Sequence, residues 1–244
     1  MKTRLFVSRE LINGAEAVIE GERARYLGRV LRLRVGDELG VFDGAGTEWS
    51  ATIAAMTRST ATLELGDTLE TQTESPLGIH LVQGISRGER MDFVVQKATE
   101  LGVARISPVL TEYGVVKLDE QRAAKRREHW EGVAASACEQ SGRTRLPLVD
   151  TPLTLKAWFG SGASDADAHL ILMPAAATSL VDVAAPRNRV CILIGPEGGF
   201  SPTEYEDAGI AGFRAVSLGP RTLRTETATA AALAVMQAKW GDLS

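Results

Sequence analysis

The sequence predicts an α/β protein in two parts, a small N-terminal β-barrel and a larger domain in which strands alternate with helices over a parallel sheet. Three observations carry this prediction. Short apolar runs separated by turn signals occupy the first 66 of the 244 residues, a pattern of small-domain β structure. From 66 to 78 the composition turns to Thr, Glu, Gln, Ser and Pro without periodicity, as in a linker. Beyond 79 the period changes, and strand-length apolar runs alternate with helical stretches, which implies parallel strands with helices on both faces. The boundaries drawn from this are 1–70 for the barrel, 71–78 for the linker and 79–244 for the α/β domain.

In the first part, Leu5-Phe6-Val7 and residues 38–42, 49–53 and 61–65 read as strands, with Asp43-Gly44-Ala45-Gly46 as a hairpin turn. A helix over 22–31 interrupts them; Tyr26, Leu27, Val30 and Leu31 form its apolar stripe, and Val35-Gly36-Asp37 ends it. In the second part a strand over 80–85 precedes a helix over 89–101 with Met91, Val94, Val95, Ala98 and Leu101 on one face, stopped by Gly102. A strand over 106–110, a charged helix over 119–140 and a strand over 168–173 ending at Pro174 follow. Two further apolar runs then break into Gly-Pro loops. Residues 189–194 lead into Gly195-Pro196-Glu197-Gly198-Gly199-Phe200, and 215–218 lead into Gly219-Pro220-Arg221-Thr222-Leu223-Arg224.

The bulk composition narrows the possibilities. A hydrophobic content of 44% is ordinary for a protein with a real core. Cys138 and Cys191 match no metal or redox spacing, and His80, His129 and His169 are scattered, so neither a metal nor a disulfide is expected. No segment reads as a signal peptide or a bilayer span, which points to a cytoplasmic protein with no membrane partner. The net charge of −4 argues mildly against nucleic acid. Its distribution argues the other way, because Lys2, Arg4, Arg9, Arg23, Arg25, Arg29, Arg32 and Arg34 outnumber Glu10, Glu16, Glu20 and Glu22 within the first 34 residues. Such a patch suits phosphates, with an ordinary solvated face as the even alternative.

The two Gly-Pro loops are where chemistry is expected, since ligands of open α/β sheets dock outside the carboxyl ends of the strands. Ser201-Pro202-Thr203-Glu204 is a capping box with Pro at the first helical position, so the chain turns sharply from the glycines into a helix. Neither G-x-G-x-x-G nor G-x-x-x-x-G-K-[ST] is present, which disfavours a dinucleotide or a triphosphate. Glu197 would repel phosphate but suits hydroxyl, amino or sulfonium groups, so an uncharged or cationic cofactor fits better. Arg224 precedes an Ala-rich helix beginning at Thr225-Glu226-Thr227. A cation at the positive end of a helix dipole calls for an anion or a carboxylate nearby. Glu226 in the first turn complements the dipole, an explanation that ranks above a catalytic one.

Together, Ile194-Gly195-Pro196-Glu197-Gly198-Gly199-Phe200 and Leu218-Gly219-Pro220-Arg221-Thr222-Leu223-Arg224-Thr225-Glu226-Thr227-Ala228 resemble the signature of the SPOUT RNA methyltransferases, and more narrowly the RsmE family. Val30-Leu31-Arg32-Leu33-Arg34-Val35-Gly36-Asp37, Gln96-Lys97-Ala98-Thr99-Glu100-Leu101-Gly102-Val103 and Glu139-Gln140-Ser141-Gly142-Arg143-Thr144 extend the resemblance over essentially the whole chain. It implies a PUA-like β-barrel followed by a SPOUT-type α/β domain whose C-terminal part forms a trefoil knot, against the usual rule that chains do not thread loops. It also implies S-adenosyl-L-methionine as methyl donor, a homodimer with the site near the subunit interface, and uridine N3 in the 16S rRNA of the small ribosomal subunit as the methylated atom.

On this resemblance the cofactor lies among Leu172, Met173 and Pro174, then Ile194, Gly195, Pro196, Glu197, Gly198 and Gly199, then Leu218, Gly219, Pro220, Arg221, Leu223 and Thr225. Arg224 is the candidate to stabilise a uracil anion, with Glu226 as a second catalytic candidate. The candidate RNA contacts are Arg4, Arg25, Arg29, Arg32 and Arg34 in the first part and Arg87, Arg90, Lys97, Arg143 and Arg145 in the second. Three rivals stay open at this level: a related enzyme with a different RNA target, a non-catalytic RNA-binding assembly factor, and a different α/β enzyme acting on a small nucleotide with the barrel serving only dimerisation.

Overall fold

A computed structural model describes residues 3–162 and 164–243, so Lys2 lies outside the described residues. The chain divides into two compact units. One comprises the residues up to Glu74 together with Cys138–Leu146; the other comprises Ser75–Ala137 and the residues from Pro147 on.

The first unit is one curled sheet of six strands. They are β1 (Arg4–Phe6), β2 (Ile12–Asn13), β3 (Glu16–Glu20), β4 (Glu38–Phe42), β5 (Glu48–Met56) and β6 (Thr60–Leu69), in the order β1-β4-β5-β6-β3-β2. Only β1 and β4 pair in parallel. Two register shifts between β5 and β6, at Trp49/Ala51 and Ile53/Ala55, bend the sheet around its own core. That core contains Leu5, Ile19, Leu39, Val41, Ile53 and Leu63, and helix α1 (Gly21–Arg29) adds Ala24 and Leu27. The Asp43 turn forms as its sequence predicts, with Asp43 Oδ1 accepting from the N–H groups of Ala45 and Thr47 at 2.8 and 3.0 Å. The β2–β3 hairpin escapes the sequence reading because only Ala17 and Ile19 face inward, between charged neighbours. Helix α1 also ends earlier than the apolar stripe suggests. Val30 is 63% exposed, and the chain turns through Arg32, a non-glycine residue at φ 57°.

The second unit is a parallel sheet. Its strands are β7 (Gly78–Gly84), β8 (Val103–Leu110), β9 (Leu148–Val149), β10 (Leu153–Thr154), β11 (Ala168–Leu172), β12 (Arg189–Ile194) and β13 (Arg214–Val216). The order is β10-β8-β7-β12-β11-β13, with β9 also on the free edge of β8. Strand periodicity sends alternate residues to opposite faces. Ile79 and Leu81 of β7, with Val190, Ile192 and Ile194 of β12, join one core with α2 (Arg90–Glu100), α3 (Glu120–Ser141) and α6 (Thr225–Trp240). Val82, Cys191 and Leu193 join the other with α4 (Leu155–Gly160) and α5 (Pro202–Ile210). Both faces are covered, as an all-parallel sheet requires. The short β9, β10 and α4 have no strong sequence signal.

The linker and the segment after α3 belong together. Thr73 Oγ1 donates to the Gly142 carbonyl at 2.8 Å, and Glu74 accepts from the N–H groups of Thr144 and Arg145, both at 3.0 Å. Part of the segment read as linker is thus held by hydrogen bonds, and Cys138–Leu146 clusters with the first unit although the sequence boundaries placed it in the second.

Candidate active site

The loops after β11, β12 and β13 converge on the first turn of α6 and enclose a cavity of about 430 Å³, a size that suits a nucleoside-sized ligand. The β12 loop closes by a hydrogen bond from the Gly199 N–H to the Pro196 carbonyl at 2.9 Å. Its glycines are required for different reasons. Gly199 sits at φ 69° with open space where a Cβ would point, so the constraint is its dihedral. A Cβ on Gly198 would lie 2.7 Å from the Tyr113 carbonyl oxygen, so there the constraint is space.

Helix α5 then starts with the predicted capping box. Ser201 Oγ accepts from the Glu204 N–H at 3.1 Å, and Glu204 Oε2 accepts from the Ser201 N–H at 2.9 Å. The other oxygen of Glu204 accepts from the Glu112 N–H at 2.9 Å and pins the loop after β8. Phe200 and Tyr205 flank the cap edge to face, 5.5 Å between centroids, as a hydrophobic staple, and both line the cavity. Sequence reasoning missed this pair, whose signal is the placement of two aromatic residues on either side of the cap.

Of the predicted cofactor residues, Leu172, Met173, Pro174, Ile194, Gly195, Pro196, Glu197, Gly199, Leu218, Gly219, Arg221, Leu223 and Thr225 line the cavity. Gly198 and Pro220 are not among its lining residues, whereas Arg90, Thr222 and Ala228 are. Thr225 does not offer its hydroxyl to the cavity freely, because Oγ1 donates to the Gly195 carbonyl at 2.7 Å. Glu197 is paired with the Arg90 guanidinium at 2.5 Å and accepts from the Arg87 N–H at 3.4 Å. Burial disfavours its ionised form, but its own backbone N–H together with Arg90 and Arg87 outweighs burial and holds the carboxyl below its ordinary range.

Arg224 is the N-cap residue of α6 and stands exposed on the cavity wall. Among the described residues no carboxylate lies within ion-pair distance of it. Glu226 departs from expectation. One residue further along a helix is about a 100° turn, and Glu226 is not among the cavity-lining residues; its Oε2 is buried without a hydrogen-bond partner.

The candidate RNA contacts divide. Arg4 is spent internally: it pairs with Glu48 at 2.8 Å, donates to the carbonyls of Cys138 and Arg143 at 2.7 and 3.0 Å, and stacks over Phe42. Arg143 is 4% exposed and grips Glu74 at 2.8 Å. Both are therefore corrected from phosphate ligands to framework cations, because a buried guanidinium needs a carboxylate beside it. Lys97 pairs with Glu100 at 2.8 Å. Arg25, Arg29, Arg32, Arg34, Arg87, Arg90 and Arg145 remain exposed.

The fold and the site define a class: a parallel-sheet α/β domain with a ligand cleft at the carboxyl ends of its strands, joined to a small curled β-sheet domain. The chain belongs to the RNA methyltransferase family. Residues 73–237 match the RNA methyltransferase domain and 19–66 match the RNA methyltransferase PUA domain. The chain is 36% identical over 219 residues to the ribosomal RNA small subunit methyltransferase E of Buchnera aphidicola from Schizaphis graminum, covering 90% of this chain and 89% of that protein. The solved ribosomal RNA small subunit methyltransferase E of Neisseria gonorrhoeae, bound to S-adenosyl methionine, is 38% identical, with TM-score 0.91 and full coverage of both chains. A methyltransferase of Legionella pneumophila, solved with bound SAM, is 39% identical with TM-score 0.93, again with full coverage of both chains.

Proposed function

We propose that this protein uses S-adenosyl-L-methionine to methylate N3 of a specific uridine in the 16S rRNA of the small ribosomal subunit. In this reading it acts in the cytoplasm as a homodimer, with the knotted C-terminal threading that the resemblance implies. The observation that carries the proposal is the cavity: the two stretches that carry the family resemblance, 194–200 and 218–228, enclose with the loop at 172–174 one nucleoside-sized space with the Arg224 guanidinium on its wall.

The residues present suit the methyl donor. The glycine turns bring backbone close to the space, and Glu197 sets a carboxylate beside it for a cationic ligand. When bound, S-adenosylmethionine supplies an electrophilic methyl group. The chain's own residues do the rest by holding the nucleobase in line with that methyl. Loss of the uridine N3 proton spreads negative charge over N3 and the flanking carbonyl oxygens; N3 would then take the methyl group as that group's bond to the donor sulfur breaks, which leaves the base neutral. Arg224, always charged and presenting a planar donor fork, is placed to receive that charge. Glu197 is held ionised below the ordinary carboxylate range, which makes it a weak base, and Glu226 is not in the cavity lining, so neither serves as the base, and the N3 proton passes to solvent. The exposed arginines position the RNA through its phosphates without reading bases, and the target uridine is unstacked into the pocket.

The test incubates the protein with isotopically labelled S-adenosylmethionine and small subunits lacking the modification, followed by nucleoside mass spectrometry. Labelled 3-methyluridine in 16S RNA is expected. Label in another nucleoside or another RNA moves the target, and cofactor binding without any label leaves an RNA-binding factor.

A further inference from the structure

The buried side chain of Gln83, at the carboxyl end of β7, touches neither solvent nor the cavity, yet its hydrogen bonds join the end of β12 to the start of α6 behind the cavity wall. It is 0% exposed. Its Nε2 donates to Thr225 Oγ1 at 3.1 Å, to the Gly84 carbonyl at 3.1 Å and to the Ile194 carbonyl at 3.4 Å. Its Oε1 accepts from Thr229 Oγ1 at 2.7 Å. Thr225 passes the direction on by donating to the Gly195 carbonyl. Polarity therefore runs one way, from the Thr229 hydroxyl to the Gln83 amide, to the Thr225 hydroxyl, to the carbonyl that opens the β12 loop. The Thr229 hydroxyl also reaches the Thr225 carbonyl at 2.9 Å, and the amide at 83 accepts at one end and donates at the other.

A second observation locates the same junction independently. Gly84 has an ordinary φ, but a Cβ there would lie 2.3 Å from Pro196 Cδ and 2.5 Å from Pro196 N. The end of β7 is thus pressed directly on the Gly195-Pro196 turn, and the amide beside it sets the turn's height.

We propose that Gln83, together with Thr229, is the positioning pair that fixes the Gly195-Pro196 turn against β7 and so holds the wall on which the methyl donor lies. The proposal deepens the methyltransferase reading and rests on it for the identity of the ligand. Neither side chain lines the cavity, so both act through Thr225 and the Gly195 carbonyl.

The test compares Gln83→Leu, Thr229→Val and Thr229→Ser with the native protein. Calorimetric titration uses S-adenosylmethionine and S-adenosylhomocysteine, well below the melting temperature of each variant. At least tenfold weaker binding is expected for Gln83→Leu and Thr229→Val, and binding within about twofold of native for Thr229→Ser, which keeps the hydroxyl. Lower melting temperatures with unchanged affinities would overturn the proposal and leave the pair as packing only. Amide exchange of the cofactor-free protein supplies a readout independent of the ligand. The Gly199 amide, bonded to the Pro196 carbonyl, should exchange at least tenfold faster in Thr229→Val, with α1 amides unchanged; native exchange at Gly199 overturns the proposal even if Gln83→Leu fails to fold. A native protein that binds neither ligand refutes the methyltransferase reading instead, and the exchange result still stands or falls by itself.

Discussion

Arg224 and His80 are the two residues whose surroundings make the sharpest predictions. Arg224 has no ion-pair partner among the described residues, yet it caps the positive end of a 16-residue helix, an arrangement that disfavours the cation until an anion arrives. Replacing it with alanine should therefore leave cofactor affinity within a few-fold of native and lower the rate of methyl transfer by roughly 10²–10³-fold, measured in single turnovers on small subunits. A comparable loss of cofactor affinity would place Arg224 in cofactor binding instead. His80 is a matter of stability. Its Nε2 meets Ser107 Oγ at 2.7 Å, Ser107 donates onward to Asp150, and Arg105 pairs with Asp150 at 2.8 Å. Burial first, and the Arg105 charge second, push its pKa down to about 4, against opposing pulls from Asp150 and Asp165. A folded pKa below the unfolded value means that the unfolded chain binds the proton first. Stability is thus complete above the ordinary value of 6.5 and falls as pH drops towards 4, by about 3 kcal/mol at most. Urea titrations across that window should show the fall, and His80→Gln should flatten it.

At the scale of elements, glycines and caps decide where the strands of the second unit become helices. Ser201 and Glu204 satisfy each other's backbone donors, and Glu204 also ties the loop after β8. Ser201→Ala should cost about 1 kcal/mol of unfolding free energy, read from urea melts, with little change in α6. This much of the site was legible in the sequence, because a capping box and a Gly-Pro break act within a few residues; the Phe200–Tyr205 staple beside them was not read from it. Helix α1 shows the limit of such reading. Its apolar stripe continues past Arg29, but Val30 is left exposed where the chain turns through Arg32.

At the scale of the whole molecule, the proposed RNA binding has the exposed arginines working by number rather than by geometry. Replacing Arg29, Arg32 and Arg34 by glutamine should weaken RNA binding without changing cofactor affinity. It should also reduce the slope of log affinity against log salt by roughly 0.7–0.9 for each phosphate that is no longer neutralised, as followed by fluorescence anisotropy over a salt series. A triple change at Arg4, Glu48 and Arg143 should instead act on folding, since Glu48 and Arg143 are buried and Arg4 is half-buried against Glu48 in the first unit.

By itself the sequence determined most of the longer strands and helices, the two Gly-Pro loops that meet at the cavity and the helix start beyond each, because glycine dihedrals, proline and caps are local constraints; β2, β3, β9, β10 and α4 escaped it. Tertiary structure alone decided which charges are free and which are spent. Arg4 and Arg143 look like Arg29 and Arg34 in the sequence, and only Glu48 and Glu74, far away along the chain, separate them. Gln83 carries no motif, and its partners Thr225 and Thr229 are 142 and 146 residues distant. Burial and hydrogen-bond partnership across such separations are properties of the packed chain, and they assign each polar side chain to the framework or to the site.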